Sequence, residues 1–522
     1  MNTKDIDQLL LLIATLVACL FGGTAQADEM QNPQLTFDIK TSSNYLDAAY
    51  VDQSTGKPRV LVLTDMGNEP DDQMSMVRLL LYANEIDIEG LIATTSTWLK
   101  DRTNPQTIHK IIAGYAQVRA NLMLHAEGWP EASYLASKVS AGQPGYGLSA
   151  VARGQTSAGA MAIIAAADRP DDRPLWISIW GGANTLAQAL LHIRETRNEV
   201  ELQSFVAKLR VYSISDQDDA GPWIRTQFPQ LFYVVKPSSA DGGEYVYASW
   251  TGISGDLFYR NGAGADTSLI TNEWLQDNIR SKGSYGKLYP SYLFIMEGDT
   301  PAFLNLLGNG LESYRNPAWG GWGGRYLLRQ PYGESHAIWT QGGDLFFRVT
   351  SQDQVKGIDG KLHLSDQATI WRWREAFQHD FATRMDWTLQ NFDAANHPPQ
   401  IQLNGQQSSK PMMIEAKVGD VITLDASDSI DPDGQPLSFT WFHYPEAGYV
   451  QGQGLAELAI HNANQPQATL TVTQACRDAW IAQWVSCQGG VAHVILAVTD
   501  SGTPALTRYR RVIIHVTAKD RQ

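Results

Sequence analysis

Positive charge is scarce in this chain. Lysine and arginine number 40 against 55 aspartates and glutamates, a formal net charge of −15 over 522 residues. That balance excludes the basic footprint a nucleic-acid polymer needs, so no such partner is expected. Long apolar runs are lacking beyond the N-terminal segment, so no transmembrane helix is expected in the mature chain. Overall charge is low, 18% against 43% hydrophobic residues. A folded globular protein follows, and the length allows more than one packed domain.

Cysteine is almost absent: Cys19, Cys476 and Cys487 are all there is. Cys19 lies in an apolar run from Leu9 to Phe21 that is short for a membrane span and is followed by Ala25-Gln26-Ala27. This pattern predicts a secretory signal over residues 1–27 and a periplasmic or secreted protein. Leu16-Val17-Ala18-Cys19 also resembles a lipobox, which makes a lipoprotein anchored at Cys19 the alternative. Either way Cys476 and Cys487 remain, and in an oxidising compartment they read as a disulfide, with two unpaired buried thiols as the other reading.

Residues 28–57 read as an N-terminal extension. From Arg59 onward, apolar runs alternate with amphipathic ones: "VLVLTD" then "DQMSMVRLLLYAN", "IEGLIATTS" then "PQTIHKIIAGYAQVRA", "PLWISIW" then "NTLAQALLHIRET". The alternation predicts βαβ units, hence an α/β domain over residues 58–395 with a mainly parallel sheet flanked by helices. Its ligand site belongs beyond the carboxyl ends of the strands. Asn396 to Pro399 reads as a linker. The segments after it, "DVITLDASDS", "PLSFTWFHY", "VAHVILAVTDSG" and "RYRRVIIHVTA", predict an immunoglobulin-like β-sandwich over residues 396–522. "LDASDSIDPDGQPLSFTWF" resembles PKD and cadherin-like modules, and Asp431 and Asp433 there read as turn residues.

In "RVLVLTDMGNEPDDQMSMVRLL", Asp65, Glu69, Asp71 and Asp72 crowd the point where a buried strand leaves its sheet. Clustered carboxylates repel one another, and a hard divalent cation bound by oxygen ligands relieves that cost. The alternative is that Asp71 caps the following helix and the other acids are solvated. Two later segments are read as strand ends of the same kind. "PLWISIWGGANTLAQALLHI" turns at Gly181-Gly182 beside Trp180 and starts a helix near Asn184, and "SYLFIMEGDTPAFLNLL" ends at Glu297-Gly298-Asp299.

Together these loops resemble the nucleoside hydrolase family, whose first strand ends in D-x-D-P-G-x-D-D. Asp65-Met66-Gly67 and Asp71-Asp72 correspond to parts of that motif, and Leu63 stands where the family has its first aspartate. The resemblance implies one Ca2+ held by Asp65, Asp72, Asp299 and a backbone carbonyl near Trp180, with Asp71 holding sugar hydroxyls and Asp65 as the catalytic base. Gly298 stands where some members carry a histidine, so the leaving-group acid is left between Glu297 and the 216–219 loop. Asn68, Glu69, Asn184, Asp216 and Glu297 complete the candidate substrate contacts on these loops. With "NPAWGGWGGRY" and the terminal sandwich, the chain is further similar to secreted bacterial proteins described as cellulose-binding. In that stretch Trp319 and Trp322 are candidates to stack on sugar rings and Arg325 to bind hydroxyls, the alternative being a loop that plugs its own core with indoles. The expected activity is hydrolysis of an N- or O-glycoside, furanosides included. The alternative is a non-catalytic carbohydrate-binding protein with a retained calcium site.

Overall fold

The computed structural model describes residues 49–518, apart from 68, 152–155, 345–348, 449–453, 478–486 and 488. The expected signal, Cys19, and the extension up to residue 48 lie outside the described residues. Among the described residues no helix is long and apolar enough to cross a membrane.

Strand β1 (Arg59–Thr64) is buried at every position because it is central, with parallel neighbours on both sides. Val60 and Val62 face one core while Leu61 and Leu63 face the other, the period of two that a strand imposes. The other strands of this sheet are β2 (Asp87–Ala93), β3 (Val139–Ala141), β4 (Leu175–Ile179), β5 (Leu209–Ser213), β6 (Phe232–Val234), β7 (Leu327–Arg329) and β8 (Ile338–Thr340). Their spatial order is β3-β2-β1-β4-β5-β6-β8-β7, parallel except for the β7/β8 pair. Helices α1 (Pro70–Leu80) and α2 (Pro105–Leu122) pack on one face, α3 (Ala158–Asp168) and α4 (Asn184–Thr196) on the other. The chain runs outward from β1 through β2 to β3, then restarts at β4 on β1's other side. That reversal opens a crevice between the carboxyl ends of β1 and β4, where ligands bind in sheets of this type.

The C-terminal part contains a five-stranded sheet and a three-stranded one, around a core that includes Leu424, Trp441, Leu470, Leu496 and Ile514. The larger sheet is built on Gly489–Thr499 paired with Thr507–Thr517 and Ser438–His443. Cys476 and Cys487 are disulfide-bonded.

Two expectations change. The "SYLFIM" run is not a strand: Leu293 and Phe294 are exposed, and Met296 is pinned through both its N–H and its carbonyl by the hydroxyl of Ser254 in place of a ladder. Nor is "NPAWGGWGGRY" a sugar-stacking rim. Trp319 packs on Val491 and Ile513 of the sandwich, Trp322 is 1% exposed, and Arg325 is fully buried with its guanidinium 2.7 Å from Asp353. The indole-plug alternative is the one found. Gly320 (φ +70°) shows why the loop is rich in glycine: a Cβ there would collide with the Tyr444 hydroxyl.

That loop is a seam between the two parts of the chain. Arg511 of the sandwich donates to the carbonyls of Leu311 (2.8 Å) and Gly320 (2.9 Å). Asp353 binds Arg325, Arg372 (2.8 Å) and the Tyr444 hydroxyl (2.5 Å) together. Burial acts to raise the Asp353 pKa, but the two guanidiniums outweigh it and hold the carboxylate below its ordinary value. The expected linker is also packed: Asn396 donates to both Asp500 carboxylate oxygens, and His397 is clasped by Asp433 through its N–H (2.7 Å) and its ring (2.8 Å). Replacing Asp353 with alanine leaves buried cations unpaired. We expect a loss of about 3–5 kcal/mol, read by urea unfolding of the full chain; a change within 1 kcal/mol of zero would show that Asp353 does not hold the seam.

Candidate functional site

Beyond Thr64 the chain enters the crevice as Asp65, turns, and begins α1 with Pro70, whose missing N–H costs nothing at a helix start. Asp71 and Asp72 occupy the first turn, where the helix dipole favours negative charge. Asp65 is almost fully buried and accepts a hydrogen bond at Oδ2 from the Ser96 hydroxyl, just past the end of β2. Asp72 accepts from the Thr64 hydroxyl and lies within hydrogen-bonding reach of Asp65. The first loop after β4 closes over this pair. A Cβ on Gly181 would stand 2.7 Å from Asp65 Oδ1, so glycine lets this loop lie directly against the Asp65 carboxylate.

The turn at Gly298 brings Asp299 to the same place. Asp71, Asp72 and Asp299 each offer an oxygen within 4.8 Å of the others, the one such trio of potential metal ligands among the described residues. Asp65 stands beside it through Asp72. Burial pushes all four carboxyl pKa values up, and mutual repulsion adds to the rise for Asp71, Asp72 and Asp299; Asp71 reaches about 8. Asp299 Oδ2 is buried with no hydrogen-bond partner. The Trp180 carbonyl, an expected ligand, accepts from Gln217 Nε2 at 2.6 Å, and Gln217 Oε1 is itself buried without a partner. The carbonyl keeps a second lone pair. An oxygen-only set with an orphaned carboxylate oxygen suits a hard divalent cation.

Several expected contacts are spent elsewhere. Glu297 is fully buried, ion-paired with Arg78 at 2.6 Å and hydrogen-bonded by Tyr289 and Thr300. Its backbone is left-handed (φ +55°) at the turn that delivers Asp299, and its carboxylate is engaged by these partners. Asp216 is locked by Arg225 through two bonds of 2.8 and 2.9 Å, and Arg225 also pairs with Glu334. Asn184 gives its side-chain N–H groups to Thr95 and the Gly145 carbonyl and accepts from Thr94. Asp218 accepts from the N–H of Asn184 at the start of α4; burial lifts its pKa to about 7. Trp319, Trp322 and Arg325 belong to the seam. Asn68 lies outside the described residues.

Glu69 stays partly open to solvent beside the trio, its pKa raised by burial and by Asp65. Around it stand residues the sequence reading passed over. Tyr259 feels the Glu69 charge, Tyr245 feels that of Asp65 and is in reach of Trp98, and Trp250 packs against Gly298. Ser96 carried one usable signal, its place in a hydroxyl run directly after an apolar strand. The aromatic residues carried none, because Tyr245, Trp250 and Tyr259 come from helical turns of three to five residues and Trp98 from a loop, too short for any periodic signal.

A switch-point sheet whose loops present converging carboxylates defines a nucleoside-hydrolase-like protein. Residues 59–326 match the family model described as cellulose-binding Sde182, nucleoside hydrolase-like domain, and residues 421–516 match the cellulose-binding protein Sde0182 C-terminal domain. The chain belongs to this family. It is 35% identical to a nucleoside hydrolase-related hypothetical protein from Saccharophagus degradans associated with carbohydrate metabolism, over 88% of this chain and 100% of that one, with a TM-score of 0.72. Two weaker structural matches are the PKD domain of the KIAA 1837 protein (22% identity, TM-score 0.15, covering 24% of this chain and 92% of that one) and the type III effector XopQ complexed with adenosine diphosphate ribose (12%, 0.27, 55% and 88%). No curated protein matches the chain.

The raised carboxyls set a pH dependence with a definite sign. Their folded-state pKa values exceed the ordinary 3.8, so between about 4 and, for Asp71, about 8 the native state holds more protons than the unfolded chain. Stability is therefore lost as pH rises through that window. In chelator, the unfolding temperature should fall between about pH 5 and pH 8, and Asp299→Asn should flatten the fall; a native curve that rises instead would count against a strained cluster.

Proposed function

We propose that the protein is a secreted hydrolase of glycosyl bonds, in N- or O-glycosides, that uses a divalent cation and an aspartate-activated water. The observation that carries this reading is the meeting of Asp65, Asp71, Asp72 and Asp299 at the mouth of a parallel sheet, with one buried oxygen left unpartnered. Ca2+ is the proposed ion, held by Asp72 and Asp299 with Asp65, Asp71 and the Trp180 carbonyl beside it. When bound, it supplies positive charge that keeps the carboxylates ionised and polarises oxygen ligands.

The chain's own groups do the rest. Ser96 fixes Asp65 Oδ2, leaving Oδ1 over Gly181 to take the proton of the attacking water. The water oxygen bonds to the anomeric carbon as the glycosyl bond breaks through an oxocarbenium-like transition state. Glu297 and Asp216 are held by arginines, and Glu69, exposed beside the trio, is the acid we assign to protonate the leaving atom in preference to Asp218 and Asp219 of the same loop as Asp216. The disulfide supports an oxidising compartment, and the family's cellulose-binding description supports a saccharide substrate outside the cell.

Metal analysis of protein purified without chelator should show about one Ca2+ per chain, lost in Asp299→Ala; no stoichiometric divalent ion would sink the cation assignment. A screen of nucleosides, furanosides and glucans should find turnover, with Asp65→Asn lowering kcat by about 10²–10⁴ while sugar affinity is retained. Sugar binding with no turnover of any glycoside by the native protein would instead establish the alternative, a non-catalytic carbohydrate-binding protein that keeps its calcium. Glu69→Gln should slow hydrolysis of alkyl glycosides and leave p-nitrophenyl glycosides nearly untouched, because a good leaving group needs no proton. Equal slowing of both would remove Glu69 from the acid role.

A further inference from the structure

The junction of the two domains holds a second group of titratable side chains, which the crevice does not use. His125 follows α2 on the α/β side, His397 belongs to the segment joining the domains, and Asp433 to the sandwich. The two histidines are 9% and 3% exposed. His125 Nδ1 and His397 Nε2 lie 3.0 Å apart with ring centres 5.2 Å apart, so the rings meet nearly head-on, nitrogen to nitrogen. Each ring's other nitrogen faces an oxygen acceptor. His397 Nδ1 lies 2.8 Å from Asp433 Oδ1, and His125 Nε2 lies 2.9 Å from the Gln390 carbonyl, just past helix α5 (Arg374–Asp386).

Counting hydrogens on these four nitrogens decides the charge. A carbonyl and a carboxylate only accept, so both outer nitrogens must carry hydrogen. Asp433 is an acceptor at both oxygens, since Oδ2 takes the His397 backbone N–H at 2.7 Å. Two neutral imidazoles own just two hydrogens, which would leave two bare lone pairs facing each other across 3.0 Å. Moving an outer hydrogen inward only transfers the misfit to the Gln390 carbonyl or to Asp433. A third proton between the rings turns the repulsion into a hydrogen bond and gives the pair one positive charge. A fourth has no place to sit. Nor does a metal ion, because zinc between two facing nitrogens needs about 4 Å.

The surroundings suit that single charge. Asp433 is its counter-ion, Phe392 stacks on His397 with centres 3.9 Å apart, and Trp387 lies parallel to His125 at 5.1 Å, aromatic faces that favour a cation. From α5, Arg384 faces the group across the Trp387 ring at 5.2 Å, and Asp380 (3.0 Å) and Glu85 answer its charge. Asp431 is turned to the backbone N–H groups of Asp433 and Gln435, and α2 contributes the neutral Asn121, a donor to the same Gln390 carbonyl. Burial pushes the His125 pKa down and the charge of His397 adds to it, against the Gln390 carbonyl and Asp433, so a second charge on the pair is resisted.

We propose that His125 and His397 share one proton and form a pH-sensitive latch between the α/β domain and the sandwich. It does not require the hydrolase reading. Unfolded, the two histidines take up two protons well below about pH 6.5 and none well above it, whereas the folded pair holds one. The unfolded chain therefore binds more protons on the acid side and fewer on the alkaline side. The latch stabilises most near the ordinary histidine pKa and less in both directions. The crevice carboxyls differ, because their contribution falls in one direction only.

The test compares urea unfolding of the full chain and of His125→Asn between about pH 5 and pH 8. The excess stability of the native chain should peak at about pH 6.5, with the ratio of the two unfolding constants changing by up to about tenfold per pH unit on either side, the effect of one proton. The same comparison in an Asp299→Asn background should keep the peak, which separates the latch from the crevice. Where His125→Asn fails to fold, nitrogen-15 histidine spectra of the native chain carry the test. One imidazole pair should keep both outer N–H groups and one strongly deshielded shared proton through the range. In hydrogen exchange, protection of the His397 amide, corrected for intrinsic rates, should pass through a maximum at the same midpoint. An excess stability that changes in one direction only, a peak lost with Asp299→Asn, two neutral imidazoles at that midpoint, or His397 protection with no maximum would overturn the proposal.

Discussion

The repulsion among carboxylates at the β1/β4 crevice is the constraint around which the α/β domain is organised. With oxygens within 4.8 Å, each ionised pair in the trio costs about 3 kcal/mol at an effective dielectric near 20. Three such pairs come to about 10 kcal/mol, comparable to the whole stability of a typical domain. The fold cannot hold these groups ionised and bare. It either protonates some of them, the direction in which burial drives their pKa values, or it neutralises them with a cation. Everything nearby serves to keep them close despite the cost: Pro70 sets the start of α1, Gly181 admits Asp65, and the Arg78–Glu297 pair anchors the turn that delivers Asp299.

How far the sequence could be read depended on whether a feature was local. β1, its acidic loop and α1 form one continuous signal, and the apolar run, the proline and the acid pair all agree. The parallel sheet was legible because the alternation of strand and helix repeats several times before β6. Partners distant in sequence were not legible. Glu297 and Asp216 look like free acids until Arg78, 219 residues away, and Arg225 are seen to neutralise them. The "SYLFIM" run has strand composition, but the hydroxyl of Ser254 takes over the backbone bonding that a neighbouring strand would have supplied.

Tryptophan among glycines proved the most ambiguous pattern. Open aromatic shelves and tightly packed seams both need large flat rings beside backbone that can approach closely. What separates them is the surface that faces the loop, and here that surface is supplied by the sandwich, at Val491 and Ile513, about 170 residues and more beyond Trp319. Composition alone carried both readings, and only the contact decided between them.

The sandwich is therefore better understood as a wall of the α/β domain than as a module on a tether. Trp319 would be exposed without Val491 and Ile513, and Arg325 and Arg372 meet Tyr444 on the shared carboxylate of Asp353. The Asn396–Pro399 segment, extended as its prolines dictate, is clasped at Asn396 and His397, so the two parts do not swing independently. A polar surface suffices for a spacer, whereas a wall must match its neighbour in shape and charge. That requirement explains why Arg510 and Arg511, residues that normally face water in a strand, are buried in the longest strand pair of the sandwich, and why Arg511 reaches across to carbonyls on either side of the tryptophan loop.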